Sequence, residues 1–393
     1  MHSISQSPTD PEFVQNPYPF YAEMLAHGGP VFWRDYNMAA VFAHDHIAAL
    51  LKDKRLGREA LPDFAPKIAP HLAPFYDIEA HSMLELEPPR HTRLRGLVLR
   101  AFTSRRIAAL GPEIAQLCHD LIDDLPRDVC DLLPQYATQI PVIIIARLLG
   151  VPETMASDLL RWSNDMVLMY QARRTRALED RAIAASIAFR DFMHRYIQEK
   201  RQNPQDDLIT HLIAAEEDGQ KLTTDELITT CILLLNAGHE ATVHTIGNGV
   251  KTLLEQGCIP EWLRPETIEN TVEEILRYDP PLHMFTRFAY EPVDIGGITL
   301  QRGDQVALMF GAAGRDPNRW DAPDRFDPTR RVQKNTAFGG GIHFCVGAPL
   351  ARLELQIAIP ILFERCPNLN LAQTPEYADI YHFHGLKALN VTL

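Results

Sequence analysis

Phe338-Gly339-Gly340-Gly341-Ile342-His343-Phe344-Cys345-Val346-Gly347-Ala348-Pro349-Leu350-Ala351-Arg352 sets one cysteine among glycines, ahead of a helical sequence. A thiolate that ligates haem iron requires such a setting. It needs N–H donors nearby to stay deprotonated and to tune the metal. A helix N-terminus supplies such donors and a favourable dipole. Gly341 and Gly347 leave room for a flat ring system against backbone. Three glycines in a row also suit a flexible loop, and a lone cysteine is commonly inert core. The joint presence of Phe338, the spaced glycines, His343, Cys345 and Arg352 favours the ligand reading.

Outward from this loop, helical patterns dominate. Ala348 to Cys366 reads as one helix with Pro360 as a kink. Pro265 to Tyr278 is another, ended by Asp279-Pro280-Pro281. From Arg90 to about Gln256 the pattern is helical, with breaks at Thr103-Ser104, Gly150-Val151-Pro152, Asn203-Pro204 and Asp218-Gly219. Thr223-Thr224-Asp225-Glu226 carries a cap residue and first-turn acids, and a long apolar helix follows. Val31-Phe32-Trp33 and Ala40-Val41-Phe42 flank a turn at Asp35-Tyr36-Asn37 and predict a hairpin. Val293 to Phe310 predicts hairpins around Gly296-Gly297 and Gly303-Asp304, and His382 to Leu393 a strand with a turn at Gly385.

A chain of 393 residues exceeds the usual size of one domain. It has no Gly/Ser linker, low-complexity tract or internal repeat, and its 29 prolines are spread out. One large domain over 1–393 is expected. The net charge of −13 argues against non-specific nucleic-acid binding. Arg90, Arg93, Arg95, Arg100, Arg105 and Arg106 nevertheless cluster, as a solvated helix face would. The six cysteines form no C-x-x-C pair and have no zinc-site spacing with histidine, which fits a reducing compartment. The start, Met1-His2-Ser3-Ile4-Ser5-Gln6-Ser7-Pro8, is polar and lacks an apolar signal region. No apolar run approaches the roughly 18 residues of a membrane span.

The loop resembles the cysteine-ligand loop of the cytochrome P-450 family, the haem-thiolate monooxygenases, and the similarity runs from about Pro17 to Gly385. It implies a mainly α fold, with a helix-rich part and a small β-rich part around a buried haem b. It implies Cys345 as axial ligand to the iron, Phe338 beside the sulfur and His343 at a haem propionate, with Gly339 and Gly347 shaping the cradle. His91 and Arg95, four apart after Pro88-Pro89, resemble the propionate-binding helix, and Arg287 completes the set. Glu274 and Arg277 resemble a structural pair joined by a downstream arginine, for which Arg325 is the candidate.

Ala237-Gly238-His239-Glu240-Ala241-Thr242 resembles the place where the family binds dioxygen beside the iron. Glu240 matches the acid that delivers protons. Ala241 departs from the usual threonine, so Thr242, a water or a substrate hydroxyl has to substitute. Pocket positions carried over from the family are Leu84, Leu233, Asn236, Ala237, His283, Phe285 and Phe383. Asn236 and His283 hint at a polar group on the substrate, although a buried water would satisfy them equally.

The implied reaction inserts one oxygen atom of dioxygen into a small organic substrate. Electrons would come from NAD(P)H through a reductase and a ferredoxin, which exposed arginines between Arg90 and Arg106 would help to dock. The lack of an N-terminal anchor helix implies the soluble, cytoplasmic bacterial type. A peroxide-using haem-thiolate enzyme and a non-catalytic haem sensor are the alternatives.

Overall fold

The computed structural model describes all residues except 66, 171–173, 218–219 and 381–382, and the backbone alone at 216–217. The helices that position the site are, in chain order, α1 (Tyr18–His27), α2 (Arg90–Ala101), α3 (Ala156–Val167), α4 (Arg176–Gln202), α5 (Thr224–Glu255), α6 (Ile268–Tyr278) and α7 (Ala348–Arg365). Strands β1 (His2–Ile4), β2 (Val31–Trp33), β3 (Met38–Val41), β4 (Leu56–Gly57), β5 (Met284–Ala289) and β6 (Gln305–Met309) form the main sheet.

Thr223 starts α5 as the sequence predicts. Its Oγ1 accepts from the Glu226 N–H at 3.2 Å, while Glu226 Oε2 accepts from the Thr223 N–H at 2.9 Å. Two otherwise orphaned donors are thereby satisfied. The break expected at Asp218-Gly219 lies outside the described residues, as does His382.

The chain packs as two compact units. The first comprises Met1–Phe64, Glu113–Ala137 and Ala241–Leu393. Its sheet has the order β1-β2-β3-β6-β5-β4. The β2–β3 hairpin forms as predicted, with Asn37 supplying the left-handed turn residue at φ 51°. Trp33, Tyr21, Phe42, Met284 and Met309 fill one side of the sheet, and burial of each such side chain is worth roughly 1.5–3 kcal/mol. Val293–Ile295 and Ile298–Leu300 form the expected hairpin around Gly296-Gly297.

The second expected hairpin does not form. Gly303 donates to Ala289 O at 2.8 Å, and β6 runs between β3 and β5 instead of back along Ile298–Leu300. Val306, Ala307 and Leu308 are fully buried, so this strand belongs at the centre of a sheet rather than at an edge. α6 starts at Ile268, three residues later than the sequence predicts, because Thr267 takes a non-helical φ of −122°. Pro360 lies inside α7. The C-terminal strand is short, Asn390–Thr392, and pairs with both Asn370–Leu371 and Cys130–Asp131.

The second unit, Ala65–Pro112 and Thr138–Glu240, is nearly all helix. α4 packs along α3, and Phe189 sits against Trp162 with ring centroids 5.3 Å apart. A buried Lys200–Asp207 pair at 2.5 Å ties the end of α4 to the helix that follows. Among the described residues no helix is long and apolar enough to cross a membrane.

Candidate functional site

Cys345 stands at the end of a tight loop that leads into α7. Gly339 and Gly341 hold φ of 67° and 66°, in the left-handed region that glycine alone adopts without strain. A side chain at Gly341 would also run into the Leu51 carbonyl. The Cys345 N–H donates to Phe338 O at 3.0 Å, closing the loop over the aromatic residue. The sulfur is half-buried, and Phe344 and Ile342 beside it are exposed apolar groups. A Cβ on Gly347 would lie 3.9 Å from the Cys345 sulfur and meet nothing else within 4 Å. Glycine there leaves open the space beside the sulfur.

The other thiols are unlike it. Burial pushes Cys118 up to about 12 and Cys258 up to about 11, and it raises Cys130, Cys231 and Cys366 as well. Cys345 is the sulfur placed on a glycine loop at a helix start.

Two adjacent acids of α6 brace this loop. Glu273 holds Arg352 of α7 at 2.5 Å, and the Arg352 guanidinium lies 4.4 Å from the Phe338 ring centroid. Glu273 also accepts from Asn335 at 3.1 Å. Glu274 takes Arg277 in a two-pronged contact, 2.7 Å on each arm, with both side chains buried. Arg277 then donates to the carbonyls of Gly314, Pro323 and Arg325.

Arg325 does not supply the third side chain. Its guanidinium is 69% exposed and pairs with Asp327, so only its carbonyl joins the network. Arg330 takes the expected place, with Nε 3.4 Å from Glu274 Oε2. The Asp327 N–H, 2.8 Å from Glu274 Oε1, turns the chain so that the later arginine points inward.

α5 carries the oxygen-side residues. Ile232, Leu234 and Leu235 are buried, whereas Leu233 is half-buried, Ala237 exposed, and Gly238, Glu240 and Ala241 half-buried. These more accessible positions fall at helical spacing and form one stripe on an otherwise buried helix. Thr242, expected as a substitute hydroxyl, is only 5% exposed and stands one turn past Gly238, at the border of that stripe. It is about 200° around the helix from Glu240 but only about 40° from Gly238.

Glu240 Oε2 lies 3.3 Å from His239 Nε2. His239 is buried and was not singled out in the sequence. Its signal there is only that an ionisable ring precedes an acid in an apolar helix. Asn236, one turn before Glu240, is buried, and its Oδ1 has no hydrogen-bond partner among the described residues. Its amide nitrogen reaches only the Met166 sulfur, at 3.9 Å.

The propionate candidates lie in both units. Arg287 is buried on β5 and donates to Thr286 O at 2.8 Å, and His343 ends the Gly341–His343 turn, half-buried. In the second unit His91 is buried on α2, with Arg95 half-buried one turn on.

Among the pocket candidates, Leu84 is half-buried after Ser82. Phe285 is half-buried under the Arg58 guanidinium, 4.8 Å from its ring centre. Phe383 is half-buried and bridges to Leu282.

His283, expected at the pocket, is held by its own chain. It is fully buried, bonds Tyr21 through Nδ1 at 2.8 Å and lies against His384 with centroids 4.4 Å apart. Burial holds His283 well below the ordinary histidine range and His384 down at about 3, so both rings are neutral. Asp279 beside them accepts from Tyr18 at 2.6 Å and Tyr377 at 2.5 Å. Together these side chains form a buried polar network.

Comparison with known proteins matches residues 29–376 to the family model described as Cytochrome P450. Cytochrome P450 107B1 of Saccharopolyspora erythraea is 42% identical over 82% of this chain and 77% of its own length. The biotin biosynthesis cytochrome P450 of Bacillus subtilis is 36% identical over 99% of both chains. A crystal structure of P450BioI with an acyl carrier protein ligated to hexadec-9Z-enoic acid superposes with a TM-score of 0.91 at 35% identity. It covers 97% of this chain and 100% of that one.

Proposed function

The chain belongs to the cytochrome P450 family, and on that premise we propose the residues through which it works as a haem-thiolate monooxygenase. The enzyme is an oxidoreductase that carries haem iron and takes an organic substrate and dioxygen. The observation that carries the assignment of Cys345 as iron ligand is its place on a glycine loop at the start of α7, where a Cβ on Gly347 would meet only its sulfur, at 3.9 Å. A soft sulfur donor at a helix start and a cradle that a Cβ would fill fit haem, and we assign it as haem b.

Haem, when bound, supplies dioxygen activation and transfer of one oxygen atom to the substrate. The protein supplies the rest. Cys345 donates electron density through sulfur, and its N–H bond to Phe338 O fixes the sulfur's direction. Arg352 and Glu273 hold the loop against α6. His91, Arg95, Arg287 and His343 offer cationic or N–H partners for two propionates. Ala237 and Gly238 keep the middle of α5 narrow. Glu240 holds and delivers a proton at its carboxyl. Thr242, a water or a substrate hydroxyl supplies the group missing at Ala241, and the burial of Thr242 favours the latter two.

Asn236 Oδ1 is a buried acceptor in need of a donor. A substrate with a hydroxyl or amide N–H would satisfy it, while Leu84, Leu233, Ala237, Phe285 and Phe383 supply apolar contact. A ferredoxin fed by an NAD(P)H-dependent reductase is the proposed electron source, in the cytoplasm. The match over 29–376 draws on segments of both compact units and supports treating 1–393 as one domain.

The deciding experiment is the reduced carbon monoxide spectrum of the haem-loaded protein. It should show thiolate ligation, and Cys345→His should move the band to the imidazole-ligated position; identical spectra would refute the assignment. A spectral binding screen of small organic compounds then identifies the substrate class. It should include fatty acids both free and on an acyl carrier protein, since the related P450BioI is seen with such a cargo. Turnover with ferredoxin and NAD(P)H but not with hydrogen peroxide separates the monooxygenase from the peroxide-using alternative.

A further inference from the structure

His239 lies where four polar atoms converge. Its Nδ1 is 3.0 Å from the Leu235 carbonyl and 3.5 Å from Ser163 Oγ. Its Nε2 is 3.1 Å from Asn164 Oδ1 and 3.3 Å from Glu240 Oε2. The ring is 2% exposed.

A carbonyl can only accept, which places the ring proton on Nδ1. In a neutral ring Nε2 then has a lone pair, and that lone pair would face the lone pairs of an ionised Glu240. Two acceptors at 3.3 Å repel, and the ring on one side of the contact is buried. One proton between them removes the conflict. With the proton on Nε2 the pair is imidazolium and carboxylate; with it on Oε2 the pair is neutral imidazole and carboxylic acid. The total charge is zero either way, so the proton moves between them without a net charge entering the interior. The Asn164 amide can turn to suit either form.

We propose that His239 is a positioning residue that shares one proton with Glu240 and holds its carboxyl in the direction of delivery. This rests on the reading of Glu240 as the proton-delivering acid. After Glu240 gives up the proton, the pair is left as neutral imidazole and carboxylate, and solvent returns one proton. Ser163 and Asn164 of α3 and the Leu235 carbonyl of α5 fix the ring so that Nε2 stays on the Glu240 side.

The test uses haem-loaded protein with His239→Leu, His239→Gln, Glu240→Gln and the double variant His239→Leu/Glu240→Gln. The first readout is infrared difference spectroscopy of the carboxyl band that Glu240→Gln abolishes. That band should shift in His239→Leu, and an unmoved band overturns the proposal. The second is the rate at which the reduced holoprotein re-oxidises in aerated buffer, followed at the Soret band. Glu240→Gln and His239→Leu should each slow it, on the order of ten- to a hundredfold. The double variant should be no slower than the slower single one. His239→Gln, which keeps a polar partner, should recover part of the rate.

Strictly additive effects, or a slow Glu240→Gln beside an unaffected His239→Leu, overturn the positioning role. A Glu240→Gln variant with normal re-oxidation overturns the reading of Glu240 instead, and the infrared band still decides whether the two residues share a proton. Should His239→Leu fail to load haem, the band shift and rate of His239→Gln carry the same comparison.

Discussion

Arg330 Nε lies 3.4 Å from the same Glu274 oxygen that Arg277 Nε holds at 2.7 Å. One buried carboxylate is thus shared by two guanidiniums. A buried acid left with too little positive charge is costly, whereas a surface pair is worth little. Arg330→Ala should therefore destabilise the protein by about 2 kcal/mol, less than the roughly 3–5 kcal/mol of breaking a buried pair outright, because Arg277 still holds Glu274. Arg325→Ala should stay within about 0.5 kcal/mol, as surface substitutions do. Denaturant melts of the two variants check the order. Equal losses would restore Arg325 to the role the sequence suggested.

The glycines of the cysteine loop separate in the same way. Gly341 is required twice, by its φ of 66° and by the Leu51 carbonyl against it. Gly341→Ala should cost about 1–3 kcal/mol and lower haem retention. Gly347 has an ordinary φ of −82° and free space, so Gly347→Ala should fold normally. Its new methyl would stand about one van der Waals contact from the sulfur and should show as reduced haem content or a shifted Soret band. A Gly347→Ala protein with unchanged haem loading and spectrum would show that this space is not the cradle.

Glu354 on α7 is buried, its Oε1 has no hydrogen-bond partner among the described residues, and burial pushes it from 4.5 up to about 8. An acid whose folded value exceeds its unfolded value keeps its proton in the native state. The unfolded chain releases that proton first, so stability falls as pH rises from about 4.5 to about 8. The loss is on the order of 4–5 kcal/mol across that window. Glu354→Gln should flatten the dependence and be the more stable form at pH near 8. Melts of both proteins at several pH values give the slopes, and parallel slopes would exclude Glu354 as their source.

Helix periodicity and caps were legible because they are local. Thr223 and Glu226 announce α5 within four residues of sequence, and the glycine-spaced cysteine announces its loop. Pairings between distant segments were not. β6 could be placed between β3 and β5 only by knowing that Val306, Ala307 and Leu308 are buried on both faces. Strands of two or three residues, such as Leu56–Gly57 and Cys130–Asp131, carry no period to read. The same limit explains the site. Arg325 and Arg330 look alike in sequence, and which one turns inward depends on the Asp327 N–H that meets Glu274. The contact of His283 with Tyr21 could not be read because the two are 262 residues apart.

The arginine cluster resolves into two kinds. Arg93 pairs with Glu226 and Arg106 with Asp206, so these two serve the fold. Arg100 and Arg105 are exposed on neighbouring helices. If they belong to the docking face for an acidic ferredoxin, Arg100→Glu with Arg105→Glu should lower the electron-transfer on-rate and weaken its salt dependence. Stopped-flow reduction at several ionic strengths measures both. A rate indifferent to the substitutions and to salt would place the partner elsewhere.

Ala241 follows Glu240 on the accessible stripe of α5, and its carbonyl accepts from the Thr245 hydroxyl at 2.7 Å. No side-chain hydroxyl therefore stands directly after the acid. Thr242 is buried, one turn past Gly238. Proton delivery then depends on a water or on a hydroxyl of the substrate. With a substrate that lacks a hydroxyl, a share of the dioxygen consumed should leave as hydrogen peroxide. Ala241→Thr puts a hydroxyl on the stripe and should raise product formed per NAD(P)H, by roughly two- to tenfold if one hydrogen bond of about 1 kcal/mol is gained. Thr242→Ala should lower stability by about 1 kcal/mol and leave that ratio alone. Product, NAD(P)H and peroxide measured together separate the cases. If Thr242→Ala uncouples the enzyme and Ala241→Thr does not help, the buried hydroxyl reaches the reaction after all. With a substrate that carries its own hydroxyl, both variants should match the parent, because the substrate then supplies the group that the helix lacks.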